Sequence, residues 1–583
     1  MNLLKSKREV AALFLILAIS LASRLYGLNW DSGYWLHPDE RQIYFVTLGL
    51  GWPNSLAEAL SPESPLNPGF FAYGSFPFYL LKASATLAAF LWPLFKDPDN
   101  LHLLGRLLAA SFDLGTVYLT YCLARKLWPS AGTGGERNGR LSGLLAATLA
   151  GLAVLSVQLS HFYTTDPLLT FFVMLVLNLS LDIIQGGGRW SQVALGMAFG
   201  LALATKVSTF LLVLLVFAAY GMRSTKGEEQ EAGYRTQVWT AAQSVVPTLA
   251  VAGLVFVVVQ PYVLIDWKTF LAHTIRESQI AWGALDVPYT RQYAGTLPYL
   301  YSIRQTALWG LGLPLGLIVW IGLGVALVRW LRRGRSSDAL LLLWAGPYLL
   351  LTGAFYSRYL RYMLPLLPIL CLVAVQLLAS LKIRRAAYAG LGLLITLSSV
   401  YLIAFAGIYA EPHSWVTASE WIYREIPAGS TLAVEDWDVA LPLPLDMEGQ
   451  HRRIEEYDVQ TLFLYNEPDD SAKWSSLASQ LAESDYLILA SRRVYGSVPR
   501  SEDRYPLATR YYERLFAGEL GFELAHTFTR GPAWLNPRFP PLPNSAPAWL
   551  QPDESFVVYD HPRTLILRNA EGLSVDELLQ RLQ

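Results

Sequence analysis

Long apolar runs recur along the chain and stop near residue 408. The runs predict a polytopic α-helical membrane protein with about eleven transmembrane helices, because a helix of about 20 apolar residues crosses the hydrocarbon core of a bilayer. The predicted positions are residues 9–28, 102–124, 140–160, 167–185, 191–205, 207–222, 239–264, 306–330, 338–356, 361–381 and 386–408.

The orientation of the chain depends on one further apolar run, residues 76–95. Lys82 interrupts this run, so we predict a juxtamembrane helix within a first outer loop of residues 29–101 rather than a crossing. Short cytoplasmic loops are rich in Lys and Arg. With this assignment every basic cluster falls on the cytoplasmic side, and the clusters are the N-terminus, 125–140, Arg189, 223–235, 329–335 and 382–385.

The sequence changes character after residue 408, where prolines and acidic residues become frequent. Short β-forming runs alternate there with helical patterns. We therefore predict a transmembrane module of residues 1–408 and an extracytoplasmic soluble α/β domain of residues 409–583. The β-like runs are 431–434, 461–464, 486–489, 556–559 and 564–567, and the helical patterns are 417–424, 474–482 and 510–517.

Composition agrees with a membrane protein. Of the 583 residues, 53% are hydrophobic and 16% are charged, whereas soluble domains carry about 25% charged residues. A net charge of −1 offers no basic field for nucleic acid. Cys122 and Cys371 lie in apolar runs, so we predict neither a disulfide nor a zinc site. No nucleotide-binding loop is present. No cofactor is predicted, a divalent metal ion is left open, and the predicted location is the plasma membrane.

A polar motif follows the first predicted helix on the outer side. Adjacent carboxylates at a membrane surface can act as a general base and as the neighbour that tunes it. We take Asp39 as the candidate base, Glu40 as its neighbour and His37 as a further pocket residue. The structural alternative is a solvated loop with a helix N-cap. The motif is His37-Pro38-Asp39-Glu40-Arg41.

A second polar motif lies on the same face, immediately before the fourth predicted helix. Asp166 falls at the bilayer surface, where a carboxylate is costly unless it has a partner or a task. Since Pro167 follows it, the alternative role for Asp166 is a helix cap. His161 is a further pocket candidate. The motif is His161-Phe162-Tyr163-Thr164-Thr165-Asp166-Pro167.

Four cations lie at predicted outer interfaces, where the positive-inside rule disfavours them. A lipid phosphate would account for the set, and snorkelling is the alternative for each member. The candidates for phosphate binding are Arg106, Lys206, Arg358 and Arg361, with Tyr362 beside the last. In the outer loop 265–305, the polar residues His273, Arg276 and Glu277 are interpreted as surface salt bridging.

In their order and common sidedness, these motifs resemble the membrane-embedded glycosyltransferases of the C-type fold. Within that class the chain is most similar to glycosyltransferase family 39, which includes protein O-mannosyltransferases and aminoarabinose transferases. The resemblance covers residues 10–410. Its carriers are His37-Pro38-Asp39-Glu40, Gly105-Arg106, His161-Phe162-Tyr163-Thr164-Thr165-Asp166, Ala204-Thr205-Lys206 and Arg358-Tyr359-Leu360-Arg361-Tyr362-Met363-Leu364-Pro365.

The resemblance implies a polyprenyl-phosphate monosaccharide as donor and transfer with inversion at the anomeric carbon. Asp39 would be the catalytic base and Asp166 the second acidic residue of the site. Arg361 would lie near the donor phosphate, with Lys206 and Arg106 as weaker candidates. A phosphate leaving group needs no general acid but does need cations to take up its charge. The acceptor, whether lipid, glycan or protein, is left open.

Two other classes of function are compatible with the sequence. A transporter or flippase of polyprenyl lipids would place ionisable residues deep in the spans, and Asp113 and Asp182 lie within or near predicted spans. A non-catalytic membrane scaffold that presents the C-terminal domain would keep Asp39 and Asp166 far apart.

Overall fold

The chain divides into two compact units. The computed structural model describes residues 7–128, 139–224, 234–334, 336–530 and 550–582. The first unit comprises Met1–Leu28, His37–Ser278 and Pro298–Ile403. The second comprises Asn29–Leu36, Gln279–Leu297 and Ala404–Gln583. Besides the tail, the second unit thus contains two short segments of the predicted outer loops.

Helices dominate the chain up to residue 406. Short 3-10 turns at Pro93–Lys96, Pro98–Asn100, Val207–Leu211 and Leu360–Leu366, and a π turn at Thr306–Gly310, lie between them. The helices are α1 (Lys7–Leu25), α2 (Pro38–Gly49), α3 (Leu56–Ala59), α4 (Phe76–Leu91), α5 (Leu101–Leu127), α6 (Gly139–Gly151), α7 (Val154–Ser160), α8 (Thr165–Ile184), α9 (Arg189–Thr205), α10 (Leu212–Ser224), α11 (Tyr234–Val259), α12 (Tyr262–Ile265), α13 (Trp267–Trp282), α14 (Leu300–Gln305), α15 (Leu313–Arg333), α16 (Ser336–Ala354), α17 (Leu367–Leu378) and α18 (Arg384–Ala406).

Among the described residues, six helical stretches are long and apolar enough to cross a bilayer. Helices α6 and α7 together would make a seventh, with a bend of 59° between them. The chain is therefore a multi-pass membrane protein, and the count of eleven helices stays a prediction. The six stretches are Pro98–Leu127, Thr165–Ile184, Leu313–Arg333, Ser337–Ala354, Leu360–Leu378 and Arg385–Glu425.

The short apolar run predicted at 191–205 forms α9, and glycines seat it tightly against α11. A Cβ at Gly196 would lie 2.6 Å from the carbonyl oxygen of Thr248, and one at Gly200 would lie 2.6 Å from that of Ala252. Without a hydrophobic driving force between helices in lipid, small residues favour such packing because they let backbones approach closely.

Ionisable side chains inside the helical unit are held in pairs. Arg24 donates to Asp113 at 2.5 Å, and both side chains are buried. Arg24 also donates to the carbonyl oxygen of Gly151 at 3.1 Å. Lys126 lies 2.9 Å from Asp182. Buried charges that are paired and hydrogen-bonded in this way fix helices against one another.

The second unit contains a five-stranded sheet in the order β4-β1-β5-β7-β6. Strands β4, β1 and β5 are parallel, with Leu432 opposite both Val459 and Tyr486. Strands β7 and β6 complete the sheet in antiparallel pairing, and β2 and β3 form a separate antiparallel pair. The strands are β1 (Thr431–Glu435), β2 (Leu445–Met447), β3 (Gln450–Arg452), β4 (Asp458–Leu462), β5 (Tyr486–Leu489), β6 (Phe522–Phe528) and β7 (Thr564–Asn569).

Helices cover this sheet, and apolar and aromatic side chains fill the core between them. Trp474, Tyr511 and Leu578 from the helices are each buried together with Leu487 and Leu567 from the strands. Burial of such large side chains supplies most of the stabilisation of an α/β layer. The helices are α19 (Ser414–Glu425), α20 (Ser471–Glu483), α21 (Pro506–Phe516), α22 (Glu554–Val557) and α23 (Val575–Leu582).

The strand predicted at 556–559 is wrong, because this segment begins inside the short helix α22. Asp553 caps that helix by accepting from the backbone N–H of Ser555 at 3.0 Å. An aspartate that caps a helix N-terminus outweighs the β propensity of the following Val-Val pair. The three helical patterns and the strands at 431–434, 486–489 and 564–567 are confirmed.

A buried carboxyl group at the end of β1 predicts a pH-dependent stability. Burial raises the pKa of Glu435 from its ordinary 4.5 to about 8, against a hydrogen bond from Tyr512. The unfolded chain therefore loses this proton at lower pH than the folded chain. Stability should fall as the pH rises from about 4.5 to about 8, and Glu435→Gln should remove that slope.

Thermal unfolding of the detergent-solubilised chain between pH 4.5 and 8, followed by tryptophan fluorescence, checks this expectation. Glu523→Gln is the matched control, because Glu523 is exposed on β6. A Glu435→Gln protein that keeps the full pH slope of the wild type would contradict it.

Candidate active site

The first outer motif forms the start of helix α2. His37 is the N-cap, and its Nδ1 accepts from the backbone N–H of Glu40 at 3.4 Å. Pro38 occupies the first helical position, where its missing N–H costs nothing. The His37 ring also packs 4.5 Å from that of Phe162. The cap and this ring contact fix the first turn of α2, on which Asp39 lies.

Glu40 is fully buried and receives four hydrogen bonds. Arg106 of α5 donates from Nε and Nη2 at 3.0 and 2.7 Å, the hydroxyl of Tyr44 at 2.6 Å, and the backbone N–H of Tyr163 at 2.9 Å. Arg106 also donates to the carbonyl oxygen of Leu28 at 2.9 Å. A buried ion pair of this kind is held by its extra hydrogen bonds, so Glu40 and Arg106 join both outer motifs to α5.

Asp39 makes a different ion pair, with Arg361. The Asp39 side chain is 22% exposed and that of Arg361 is 19% exposed, whereas Glu40 and Arg106 are both 0% exposed. The Arg361 guanidinium lies 5.1 Å from the centre of the Tyr359 ring. Of the two adjacent carboxylates, Asp39 is therefore the one that water and a substrate can reach.

Asp166, at the start of α8, is buried and lies 3.7 Å from Lys206 Nζ. The same ammonium group is 5.1 Å from the centre of the Tyr362 ring. The rings of Tyr359 and Tyr362 are 5.4 Å apart and nearly perpendicular. Direct contacts therefore run from Asp39 through Arg361, the two tyrosines and Lys206 to Asp166, so both predicted acidic residues belong to one cluster.

The remaining predicted residues, His161 and Arg358, are both buried. Both ring nitrogens of His161 lie near carbonyl oxygens, those of Val157 at 2.8 Å and Tyr26 at 2.9 Å. His161 thus joins α7 to the turn that follows α1. Arg358, which is 6% exposed, immediately precedes the Tyr359 that stacks on Arg361.

Glu277 on α13, which the sequence analysis interpreted as surface salt bridging, is electrostatically coupled to Lys206 of the cluster. Burial raises its pKa above the ordinary value, although the charges of Lys206 and Arg276 oppose the rise. Lys206 of the cluster is thus one of the charges that act on Glu277. The spacing of four residues between His273 and Glu277 indicates that both lie on one face of the helix. The same spacing also occurs on helix faces that contact only solvent, so it does not by itself indicate a site.

An apolar groove of about 1100 Å³ lies between α4 and the end of α11. Phe76, which lines the groove, is two residues from Gly74, whose N–H donates to the carbonyl oxygen of Thr205 at 3.0 Å. A Cβ at Gly74 would lie 1.9 Å from the carbonyl oxygen of Ala204, so this approach requires glycine. The groove therefore begins close to Lys206. Other lining residues are Tyr79, Leu80, Lys82, Leu87, Val258 and Tyr262.

Within the described parts of the chain, no group of three or more His, Cys, Asp or Glu side chains has the geometry to hold a metal ion. The acidic residues of the cluster have cations as their neighbours instead.

No protein-family model matches the chain, and no curated protein matches its sequence. Among solved structures, the apo oligosaccharyltransferase of Archaeoglobus fulgidus has a TM-score of 0.47 at 14% identity, over 91% of this chain and 75% of that chain. ArnT of Cupriavidus metallidurans bound to undecaprenyl phosphate has a TM-score of 0.44 at 15% identity, over 96% of this chain and 98% of that chain.

The protein O-mannosyltransferase complex Pmt1-Pmt2 of S. cerevisiae bound to its sugar donor has a TM-score of 0.32 at 16% identity, over 46% of this chain and 35% of that chain. All three are glycosyltransferases of the C-type fold, the class that the sequence motifs resemble.

The buried ion pair of Glu40 and Arg106 is expected to stabilise the folded protein. Glu40→Gln leaves the Arg106 guanidinium buried without its countercharge, which should lower the free energy of unfolding by about 3–5 kcal/mol. Denaturant or thermal unfolding in detergent measures the loss. Glu63→Gln, an exposed carboxylate of the same outer loop, should leave stability unchanged. If Glu40→Gln unfolded like the wild type, the pair would not be what holds the outer motifs together.

Proposed function

We propose that the protein transfers a monosaccharide from a polyprenyl-phosphate donor to an acceptor at the extracytoplasmic face of the plasma membrane, with inversion at the anomeric carbon. The observation that carries the proposal is the cluster itself. A partly exposed carboxylate, Asp39, contacts a partly exposed guanidinium, Arg361, and a second carboxylate lies at the other end of the same series of contacts.

In this proposal Asp39 is the general base. It removes the proton of the acceptor nucleophile while that atom forms a bond to the anomeric carbon. The bond between the anomeric carbon and the phosphate oxygen breaks at the same time, and polyprenyl phosphate leaves with the electron pair. The proton on Asp39 then passes to water, which reaches this side chain because it is partly exposed. A positioned base of this kind contributes about 10²- to 10⁴-fold in rate.

Arg361 is the proposed partner of the donor phosphate. Its guanidinium presents planar donors that match phosphate oxygens in a bidentate arrangement. In the free protein the same guanidinium is held by Asp39. A phosphate that binds Arg361 therefore competes with Asp39, and the carboxylate it displaces becomes available as the base.

The apolar groove suits the polyprenyl chain of such a donor. Its lining is almost entirely apolar, with Lys82 as the charged residue among the side chains that line it. A flexible isoprenoid tail gains free energy from burial in such a groove. Because the groove begins near Thr205, a tail bound there would direct its phosphate end into the cluster, where the proposed phosphate ligand is Arg361 rather than Lys206.

Glu40, Arg106, His37 and His161 are assigned positioning roles in this mechanism, because each is buried and held by its neighbours. Arg358 is assigned a supporting role on the phosphate side of the cluster, and Tyr362 lies between the two sides, in contact with Tyr359 and Lys206. The acceptor, whether lipid, glycan or protein, and a requirement for a divalent metal ion are left for experiment.

The transporter alternative has less support. It needs ionisable groups that change partners deep in the spans, whereas Asp113 is held by Arg24 and Asp182 by Lys126.

The activity itself can be tested directly. The purified protein in lipid nanodiscs is given a panel of radiolabelled polyprenyl-phosphate hexoses and pentoses together with a membrane extract. Release of polyprenyl phosphate and transfer of label to the extract are measured. If no donor of the panel is consumed in any combination, the proposed function is wrong.

The role of Asp39 as the general base can be tested by substitution. Asp39→Asn keeps the shape of the side chain but removes its basicity, so transfer should fall by about 10²- to 10⁴-fold. Asp99→Asn, an exposed aspartate of the same outer loop, should retain full activity. Equal activity in the two variants would remove Asp39 from the mechanism.

Donor binding should respond with opposite signs to the two members of the ion pair. Arg361→Gln removes the phosphate ligand, so the Kd for undecaprenyl phosphate should rise about 10- to 100-fold. Asp39→Asn removes the competing carboxylate, so the Kd should fall. Titration of labelled lipid into both proteins measures the two shifts. Weaker binding in both variants would show that Asp39 does not compete with the phosphate.

A further inference from the structure

Two carboxyl groups act on the charge of Lys206. Asp166 is 3.7 Å from its Nζ, and Glu277 on α13 is electrostatically coupled to it. The Tyr362 ring covers the same ammonium group at 5.1 Å. Within the described residues, two carboxyl groups and an aromatic ring thus act on Lys206, whereas Arg361 forms its ion pair with Asp39 alone.

The backbone explains why Glu277 lies here. The N–H of Phe71 donates to Nδ1 of His273 at 3.1 Å, and the N–H of Gly74 donates to the carbonyl oxygen of Thr205 at 3.0 Å. The loop from Phe71 to Gly74 therefore bridges α13 and the residue before Lys206. Glu277 follows His273 by four residues and so lies on the same face of the helix.

The opposite face of α13 is apolar and exposed. Trp267, Leu271 and Ile275 are 54%, 46% and 47% exposed and follow one another at four-residue spacing. Such a stripe is typical of a helix that lies in the membrane interface. Glu277 therefore faces the cluster from a helix suited to the membrane surface, where an acceptor at that surface would arrive.

Charge decides what this side of the cluster can bind. When both carboxyl groups are ionised, their two negative charges are matched by Lys206 and by Arg276, which also acts on Glu277. A phosphate group placed there would add negative charge to this balanced set, which is unfavourable in a partly buried site. Groups that donate hydrogen bonds, such as hydroxyl and amino groups, would be stabilised by the same carboxylates.

We propose that Asp166, Lys206 and Glu277 form the acceptor subsite, and that it takes a neutral or cationic acceptor rich in hydroxyl or amino groups and rejects a phosphorylated one. The inference rests on the proposed function. Glu277 accepts a hydrogen bond from a second donor group of the acceptor, beside the nucleophile whose proton goes to Asp39. The donor phosphate stays on Arg361, at the other end of the tyrosine pair.

The test separates transfer from hydrolysis. Purified protein in nanodiscs is given the radiolabelled donor that it consumes, with and without a membrane extract. Label released into water reports donor activation alone, and label bound to the extract reports transfer. Glu277→Gln should lower transfer about 10- to 100-fold and leave hydrolysis within about threefold of the wild type. Ser278→Ala, the exposed neighbour on α13, should change neither rate.

The product gives a second readout. Mild acid cleaves a glycosyl phosphate but spares a glycoside or a glycosylamine of a carboxamide, so the labelled product should resist mild acid. Its partition into organic solvent, protein precipitate or water distinguishes a lipid, a protein and a glycan as the source of the acceptor group.

An acid-labile product, an unchanged transfer rate in Glu277→Gln, or an equal loss of transfer and hydrolysis would each overturn the acceptor subsite. All three results leave the glycosyltransferase activity intact, since the donor is still consumed by the wild type. A wild type that consumes no donor contradicts the proposed function instead.

Discussion

The buried pair of Glu40 and Arg106 is the interaction on which the arrangement of the outer motifs depends. A carboxylate without access to water needs every lone pair engaged, because its lost hydration is otherwise uncompensated. Its donors come from α2 itself, from α5 and from the backbone at Tyr163. Segments that are far apart in sequence are thus held together by hydrogen bonds to the Glu40 carboxylate, which also fixes the positions of the neighbouring residues.

Helical geometry then gives the adjacent carboxylates of α2 different environments. Successive residues on a helix point about 100° apart, so when Glu40 faces the protein interior, Asp39 is directed to the rim. Glu40 is fully buried, whereas Asp39 forms an ion pair with Arg361 and stays partly exposed. The two arginines differ in the same way, because Arg106 is fully buried and Arg361 is partly exposed. Glu40 and Arg106 thus hold the segments together, while Asp39 and Arg361 remain partly exposed.

The sequence identified the residues of the cluster but not their pairing. The predicted position at a membrane interface and the charge were enough to single out Asp39, Asp166, Lys206 and Arg361, because a charged side chain near a bilayer is costly unless it has a partner or a function. Pairing depends on how distant helices pack, which a single sequence does not encode locally, so Glu40 and Arg106 were assigned to chemistry rather than to each other. Glu277 was missed for a related reason: a polar residue on an amphipathic helix has the same spacing whether it faces solvent or a site. The misassigned strand at 556–559 shows that one capping aspartate can override a β-forming run.

In the proposed mechanism, the charge balance between Asp39 and Arg361 sets the order in which the donor and the acceptor bind. Arg361 and Asp39 neutralise each other in the free protein. A donor phosphate brings a negative charge that must be matched by the same guanidinium, since Lys206 is already shared between carboxyl groups. Asp39 is then released next to the anomeric carbon only when a donor is present. If Asp39 is the base, as proposed, its pairing with Arg361 keeps it from accepting a proton until a donor phosphate binds, so that binding of the donor would prepare the site for the acceptor.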